Sequence, residues 1–500
     1  MTVYNDYTRA RIGWFFGLTG PQLAVLAVAV LPIAWSVSKN DWAAAGLATL
    51  LWGALYLIVA VPVRGRSMTG WILATLRLAV GALVGWTRFQ AKAATGHATP
   101  QDQVDLPGIL SSIEVHEGPP SGHDQRRVAL IQHHATRTWA VTATIVHPGL
   151  GMAELTDRDG YGRGLTELLD AAVRSELPSE LIFLVRTVPE DGAERADWVR
   201  RHRSPAAPPQ VAKINDDLHE SLTAATVRTE EYVTVVVPES RLSKVAKEYG
   251  GGFNGRARAL YGVIAEVESH LRGGLGATSV EWLTSPQLAM ACRTGFAPGD
   301  RASIVDALAA AHTDPTVLTD VPWEMAGPSG ADAAVRHYSH DAWNSVSSTI
   351  KLPVKGAAMG ALAPILAARE DGERRSLMVC YPLVPASRAD RQSANSEFGA
   401  DLGQSLRARV HMKPRTKQID ETEKVRRLES KLARGNALTV PYAVATVTVP
   451  KTVRAAEAGR RLDSSIRRAG FAPMRLDLAH DVAFAASVVP MGVSLSRRAG

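Results

Sequence analysis

Cysteine is nearly absent. The 500 residues contain two, Cys292 and Cys380. They stand far apart and match no metal or redox spacing. They read as two small apolar residues in a reducing compartment. The dipeptide Gly-Lys does not occur. A Walker A loop needs it, because backbone amides and the lysine together hold the phosphates. Gly250–Gly255, GGGFNG, lacks both that lysine and the hydroxyl that would hold magnesium, so it reads as a helix break. The Gly273-Gly274-Leu275-Gly276 run is weaker still. Ser329, in Gly327-Pro328-Ser329-Gly330, is no nucleophile elbow. His133-His134 falls on an expected strand, where neighbours point to opposite faces and cannot share a metal. His337 and His340, at i,i+3 near Asp341, form either a two-ligand set or a solvated polar turn. No catalytic residue, cofactor or metal is expected.

Strong charge is also lacking. A formal net charge of +7 is mild for this length. It suits proximity to anionic lipid or to nucleic acid and proves neither. Basic pairs occur at Arg126-Arg127, Arg200-Arg201, Arg374-Arg375, Arg426-Arg427 and Arg467-Arg468. They are scattered, and no basic run interleaved with aromatics is evident as a stacking platform.

Charge disappears altogether from two stretches, 21–38 and 42–63, separated by Lys39-Asn40-Asp41. Each is long enough to cross a hydrocarbon core of about 30 Å as a helix. The expectation is a transmembrane helical hairpin; the alternative is a hairpin buried in a soluble core. Arg9 and Arg11 precede it, and Arg64 and Arg66 follow it. The positive-inside rule makes these four the topology-determining residues and puts both termini in the cytoplasm. The predicted location is therefore the plasma membrane, multi-pass. Residues 68–90 are apolar but carry Arg77 and Arg88, which predicts an interfacial helix rather than a third span. Residues 1–92 make up this membrane region.

A Gly/Pro-punctuated linker follows, and then period-two patterning begins. Residues 108–203 read as a small α+β domain and 210–500 as a second one. A strand–proline–helix pattern recurs at 181–198, 232–247 and 442–468, which predicts ferredoxin-like β-α-β units. The fold class expected is thus α+β: a transmembrane hairpin followed by cytoplasmic ferredoxin-like units. The helix at 420–432 carries i,i+4 charge pairs, which suits an exposed or partner-facing helix. Arg426 and Arg427 on it are candidate partner-docking residues.

The hairpin, followed by Pro62-Val63-Arg64-Gly65-Arg66-Ser67 and Trp71, resembles the PrgI-type membrane proteins of actinobacterial conjugation-like type IV secretion loci. The remainder is similar to the N-terminal, non-motor part of the secretion ATPase. The residues carrying this are 343–353, Pro382-Leu383-Val384-Pro385-Ala386-Ser387-Arg388, the 420–435 helix and the closing strand–helix–strand. The resemblance implies a non-enzymatic scaffold that docks a separate motor ATPase, with other membrane subunits, the bilayer and further copies of itself as partners. The alternative it leaves is a nucleic-acid-handling subunit of the same DNA-transfer machinery. A third class, a membrane-tethered enzyme, has no residue constellation in its favour.

Overall fold

The computed structural model describes residues 3–4, 25–60, 62–63, 66–97, 100, 102–122, 124–151, 153–189, 192–204, 206–225, 227–351, 356–370, 372–385, 430 and 436–495. The chain divides into two compact units. One comprises Tyr4–Gly85 with Pro385–Leu438, and the other holds most of the remainder.

In the first unit, α1 (Leu31–Ser38) and α2 (Trp42–Ala60) form a hairpin. Trp52 Nε1 donates to Leu26 O at 3.0 Å, and its ring stacks on Tyr56. α3 (Met68–Val84) follows a two-residue hairpin, Pro62–Val63 against Arg66–Ser67. These elements overturn the expected membrane spans. Among the described residues, no helix is long and apolar enough to cross a membrane. The prolines explain much of this. Pro32 lacks an amide hydrogen and its ring clashes with the preceding turn, so a fresh helix starts at Leu31 and runs only 8 residues. Pro62 follows the end of α2, which runs 19 residues. α3 has 17, about 26 Å. The multi-pass plasma-membrane placement is corrected accordingly. Of the four topology-determining arginines, Arg66 opens a two-residue strand, while Arg9, Arg11 and Arg64 lie outside the described residues. Many apolar side chains of the hairpin are exposed, Leu50 at 75% among them.

The second unit is built on one fourteen-stranded sheet. In chain order its strands are β1 (Phe89–Gln90), β2 (Ile113–Glu117), β3 (Ala129–His133), β4 (Thr138–Val146), β5 (Glu180–Pro189), β6 (Val227–Pro238) and β7 (Ser279–Trp282). Then come β8 (Gly330–Ala331), β9 (Tyr338–His340), β10 (Trp343–Lys351), β11 (Arg374–Val384), β12 (Leu438–Thr439), β13 (Tyr442–Pro450) and β14 (Ala472–Arg475). Its helices are α4 (Leu155–Arg174), α5 (Ala193–His202), α6 (Pro209–Ala225), α7 (Glu239–Ala246), α8 (Gly252–Gly273), α9 (Ser285–Phe296), α10 (Asp300–Ala311), α11 (Ala363–Leu366), α12 (Ala455–Arg468) and α13 (His480–Val488).

The spatial order is β1-β8-β9-β10-β13-β11-β5-β6-β4-β3-β2, with β7 beside β4 and β14 beside β10. Neighbours along this path pair antiparallel. This corrects the fold class. In place of a membrane hairpin with separate small units, strands from 108–203 and from 210–500 share one continuous antiparallel sheet. The two ranges meet at β4–β6, β4–β7, β5–β6 and β5–β11, the last in the register Arg186 opposite Ser376.

Connectivity inside the sheet repeats. β4, β5, β6 and β7 occur in the order β5-β6-β4-β7, and β10, β11, β13 and β14 in the order β11-β13-β10-β14. Each set closes with a helix, α9 or α13. Strand alternation sorts the side chains between two faces. On β5, Ile182 and Leu184 enter the core beneath α9 and α13, while Leu181 enters the core beneath α4 and α8. On β13, Val444 enters the first core, and Ala445 and Val447 pack beneath α12. One face therefore carries a single core spanning both sets, and the other carries two separate cores. Residues 489–495 run across the shared face. There Gly492 has φ +70°, and a Cβ on it would meet Ala140 Cβ at 2.8 Å, so both conformation and space require glycine.

Candidate functional site

Three clusters of polar residues stand out, and each follows from where the strands place them. The first lies at the β5–β11 joint. Arg186 is fully buried. Its Nε donates to Glu230 Oε2 at 2.8 Å, its Nη2 to Tyr232 OH at 2.8 Å, and its Nη1 to the carbonyls of Ala291 and Val488 at 2.9 and 3.1 Å. The last two lie in α9 and at the end of α13, so one guanidinium ties the cover helix of each set to the joint. The Val488 carbonyl, at the C-terminus of α13, carries partial negative charge and favours such a cation. Arg374 Nη1 donates to Thr294 O at 2.9 Å. Burial, with Arg186 nearby, pulls Arg374 down to about 9, which leaves it charged at neutral pH. Burial alone would raise Glu230, but the positive charges of Arg186, Arg374 and Arg228 outweigh it and hold the carboxyl below its ordinary value. Cys292, beside this group, is pushed up to about 12 by burial and stays a thiol. The arrangement is closed and holds helices, with Arg374 Nε buried and without a hydrogen-bond partner.

The second cluster is a hydroxyl seam between β10 and β13. Ser345 bonds Thr448 at 2.8 Å, Ser347 bonds Thr446 at 2.6 Å, and Thr446 bonds Ser487 of α13 at 2.7 Å. His340 Nε2 meets Ser345 Oγ at 2.9 Å. Burial lowers His340 to about 3, so it is neutral. The helical spacing read at His337 and His340 is in fact strand geometry, since Tyr338–His340 is β9. Asp341 turns away, accepting the Ser329 amide at 2.7 Å and pairing with Arg293 at 3.3 Å. Among the described residues, no group of three or more His, Cys, Asp or Glu side chains is placed to hold a metal. His133 and His134 do part: His133 is buried near Ser112, and His134 meets Glu114 on the surface at 2.9 Å. Gly250, Gly251 and Gly252, all at positive φ, form the turn from α7 into α8.

The third cluster is exposed. It is built by α5 and α6, which lie in the connection from β5 to β6. α5 is fixed at its start by Glu194, which pairs with Arg301 at 2.7 Å and Arg228 at 2.6 Å. One turn later Asp197 accepts from Arg200 at 2.9 Å and also pairs with Arg201. The hydrogen bond from Arg200 is the main cause holding Asp197 below the ordinary carboxylate range. Trp198 is 58% exposed, and its ring stacks on His202 with centroids 4.4 Å apart and planes at 17°. The i,i+4 spacing puts the two rings on one helix face. Arg203 reaches Asp216 of α6 at 4.0 Å. Between the helices is a cleft of about 650 Å³ lined by Arg200, Arg203, Ser204, Lys213 and Asp216, among others. α6 thus turns Lys213 and Asp216 toward the cleft. Its apolar residues Val211, Ile214 and Leu218 are 53, 65 and 46% exposed.

The remaining basic pairs fare differently. Arg126 pairs with Glu281 at 2.6 Å and Arg127 with Glu117 at 3.8 Å. Arg374 and Arg375 are buried. Arg467 and Arg468 end α12, with Arg468 donating to Ser465 Oγ at 3.2 Å. The proposed docking residues Arg426 and Arg427 lie outside the described residues. The sequence reading missed the Trp198–His202 stack on the helix that carries Arg200-Arg201. The signal was present as Trp198-Val199-Arg200-Arg201-His202-Arg203, two rings four apart around three arginines. No family model matches the chain, and no curated protein matches it.

Proposed function

We propose that this protein is a scaffold in a conjugation-like type IV secretion apparatus, docking a separate motor ATPase, and that it performs no catalysis itself. The apparatus is suggested by the sequence resemblance. The observation that carries the docking reading is α6. Lys213 and Asp216 line the α5 cleft, while Val211, Ile214 and Leu218 are left exposed, where a surface helix with nothing to bind would bury its apolar stripe. An apolar stripe at i, i+3 and i+7 suits a partner helix or groove.

The test is co-purification of the apparatus's motor ATPase with the full chain. Ile214→Asp with Leu218→Asp should lower its recovery at least tenfold while the circular dichroism is unchanged. Undiminished recovery overturns α6 as the docking surface. ATP hydrolysis by the purified chain, abolished by a point change within it, overturns the scaffold reading as a whole.

A further inference from the structure

We infer that the cleft between α5 and α6 binds a small phosphate monoester. Arg200 stands in the last turn of α5, and Arg203 caps its C-terminal end. Lys213 and Asp216 stand near the start of α6. All four line the cleft of about 650 Å³. Its charge is unbalanced. Three cations face one carboxylate, an excess of two positive charges. Asp197 does not cancel that excess, because Arg201 pairs with it along with Arg200. Lys213 has no ion-pair partner among the described residues. Arg203 meets Asp216 only at 4.0 Å, with both side chains exposed, and such a pair contributes little. α6 begins at Pro209, itself part of the cleft wall, so the partial positive charge of the helix N-terminus has the same sign. A phosphate monoester carries close to two negative charges at neutral pH and three strong acceptor oxygens, which matches the excess. A guanidinium holds such a group through two parallel N–H bonds. The cleft is larger than a phosphate needs and falls within the range of small-molecule sites, about 300–1,000 Å³. Ala207 and Pro209 give the organic part of the ester an apolar wall. A polyanion would need open cations continuing beyond the cleft. Those at the start of α5, Arg228 and Arg301, are already held by Glu194.

The experiment is isothermal titration calorimetry with the full chain. The probes are glycerol phosphate and inorganic phosphate, with glycerol and acetate as controls. The ester should bind more tightly than inorganic phosphate, and neither control should bind. Lys213→Gln should weaken the ester about tenfold, as loss of one charge-assisted hydrogen bond predicts. Arg203→Gln with Lys213→Gln should remove detectable binding. Asp216→Asn should tighten binding about threefold, because it takes away the one opposing charge in the cleft. The side chains altered are exposed, so the circular dichroism of each variant should match that of the parent. The proposal is overturned if the ester does not bind at low salt, if acetate binds as well as the ester, or if inorganic phosphate binds more tightly. It is also overturned if the double variant binds like the unaltered chain, or if Asp216→Asn weakens binding. Tighter binding of an oligonucleotide, of polyglutamate or of phosphatidate vesicles than of the ester overturns it too. The α6 pair Ile214→Asp and Leu218→Asp should leave ester binding unchanged, so this site and the docking reading fail or stand separately.

Discussion

The two four-strand sets share a strand order but stabilise it by different means. In the first set, β4 and β6 direct Val141, Val233, Val235 and Val237 into an aliphatic core beneath α4 and α8. α4 spans 20 residues and α8 spans 22. Among the described residues, the helix in the corresponding crossover of the second set, from β10 to β11, is the 4-residue α11. There Ser345, Ser347, Thr446 and Thr448 are buried and bonded to one another. Both sets bury an apolar core, beneath α4 and α8 in the first and beneath α12 in the second; the second adds more directional bonding between buried hydroxyls to that burial. The first tolerates changes of shape that conserve volume. The second fails wherever one partner is lost, because a buried unsatisfied group costs its full desolvation.

The strongest way to break the comparison is at the joint, where both sets depend on one side chain. Arg186→Ala should destabilise the protein by about 3–5 kcal/mol, the cost of leaving a buried charge without its partner. Denaturant unfolding measures it, and the loss should appear in both sets at once. The deficit should depend on pH. Glu230 is held below its ordinary value in the folded chain. Its contribution is therefore full above the unfolded carboxylate pKa and lost as pH falls through the lower folded one. The gap between variant and parent should be widest near neutrality and narrow on acidification. A gap that does not vary with pH would show that the ion pair is not what stabilises the joint.

Next comes Leu260→Ala, fully buried in the aliphatic core of the first set. The expected loss is about 2–5 kcal/mol from transfer and cavity together. Leu260→Met should cost less than about 1.5 kcal/mol. Smallest is Thr446→Val in the second set. It keeps the shape but strands the hydroxyl of Ser347 and leaves Ser487 only its bond to the Ala483 carbonyl, for about 1–3 kcal/mol. If Thr446→Val costs no more than an exposed threonine does, the seam contributes nothing and the two sets do not differ in the way described. Amide exchange in β10 and β13 would localise the effect.

Much of the local structure was legible in the residues alone. The strand that opens the 181–198 pattern is β5, and the one that opens the 232–247 pattern lies within β6. Alternation and a following proline mark them by short-range rules that do not depend on the rest of the chain. The prolines at 32 and 62 were equally visible, yet uniform apolarity outweighed them in the reading of 21–63. Hydropathy reports composition along a segment, whereas the length of a helix is decided by where its hydrogen bonds stop. The rings at 198 and 202 could be read as one face by spacing, but their exposure depends on what packs against α5. What the tertiary structure alone decided is which strands meet. Trp139 pairs with Val237, and Arg375 with Thr187. Every strand offers the same backbone donors and acceptors, so the sequence of one strand does not name its neighbour. The choice is made by which apolar faces can be buried together, and that is a property of the assembled sheet.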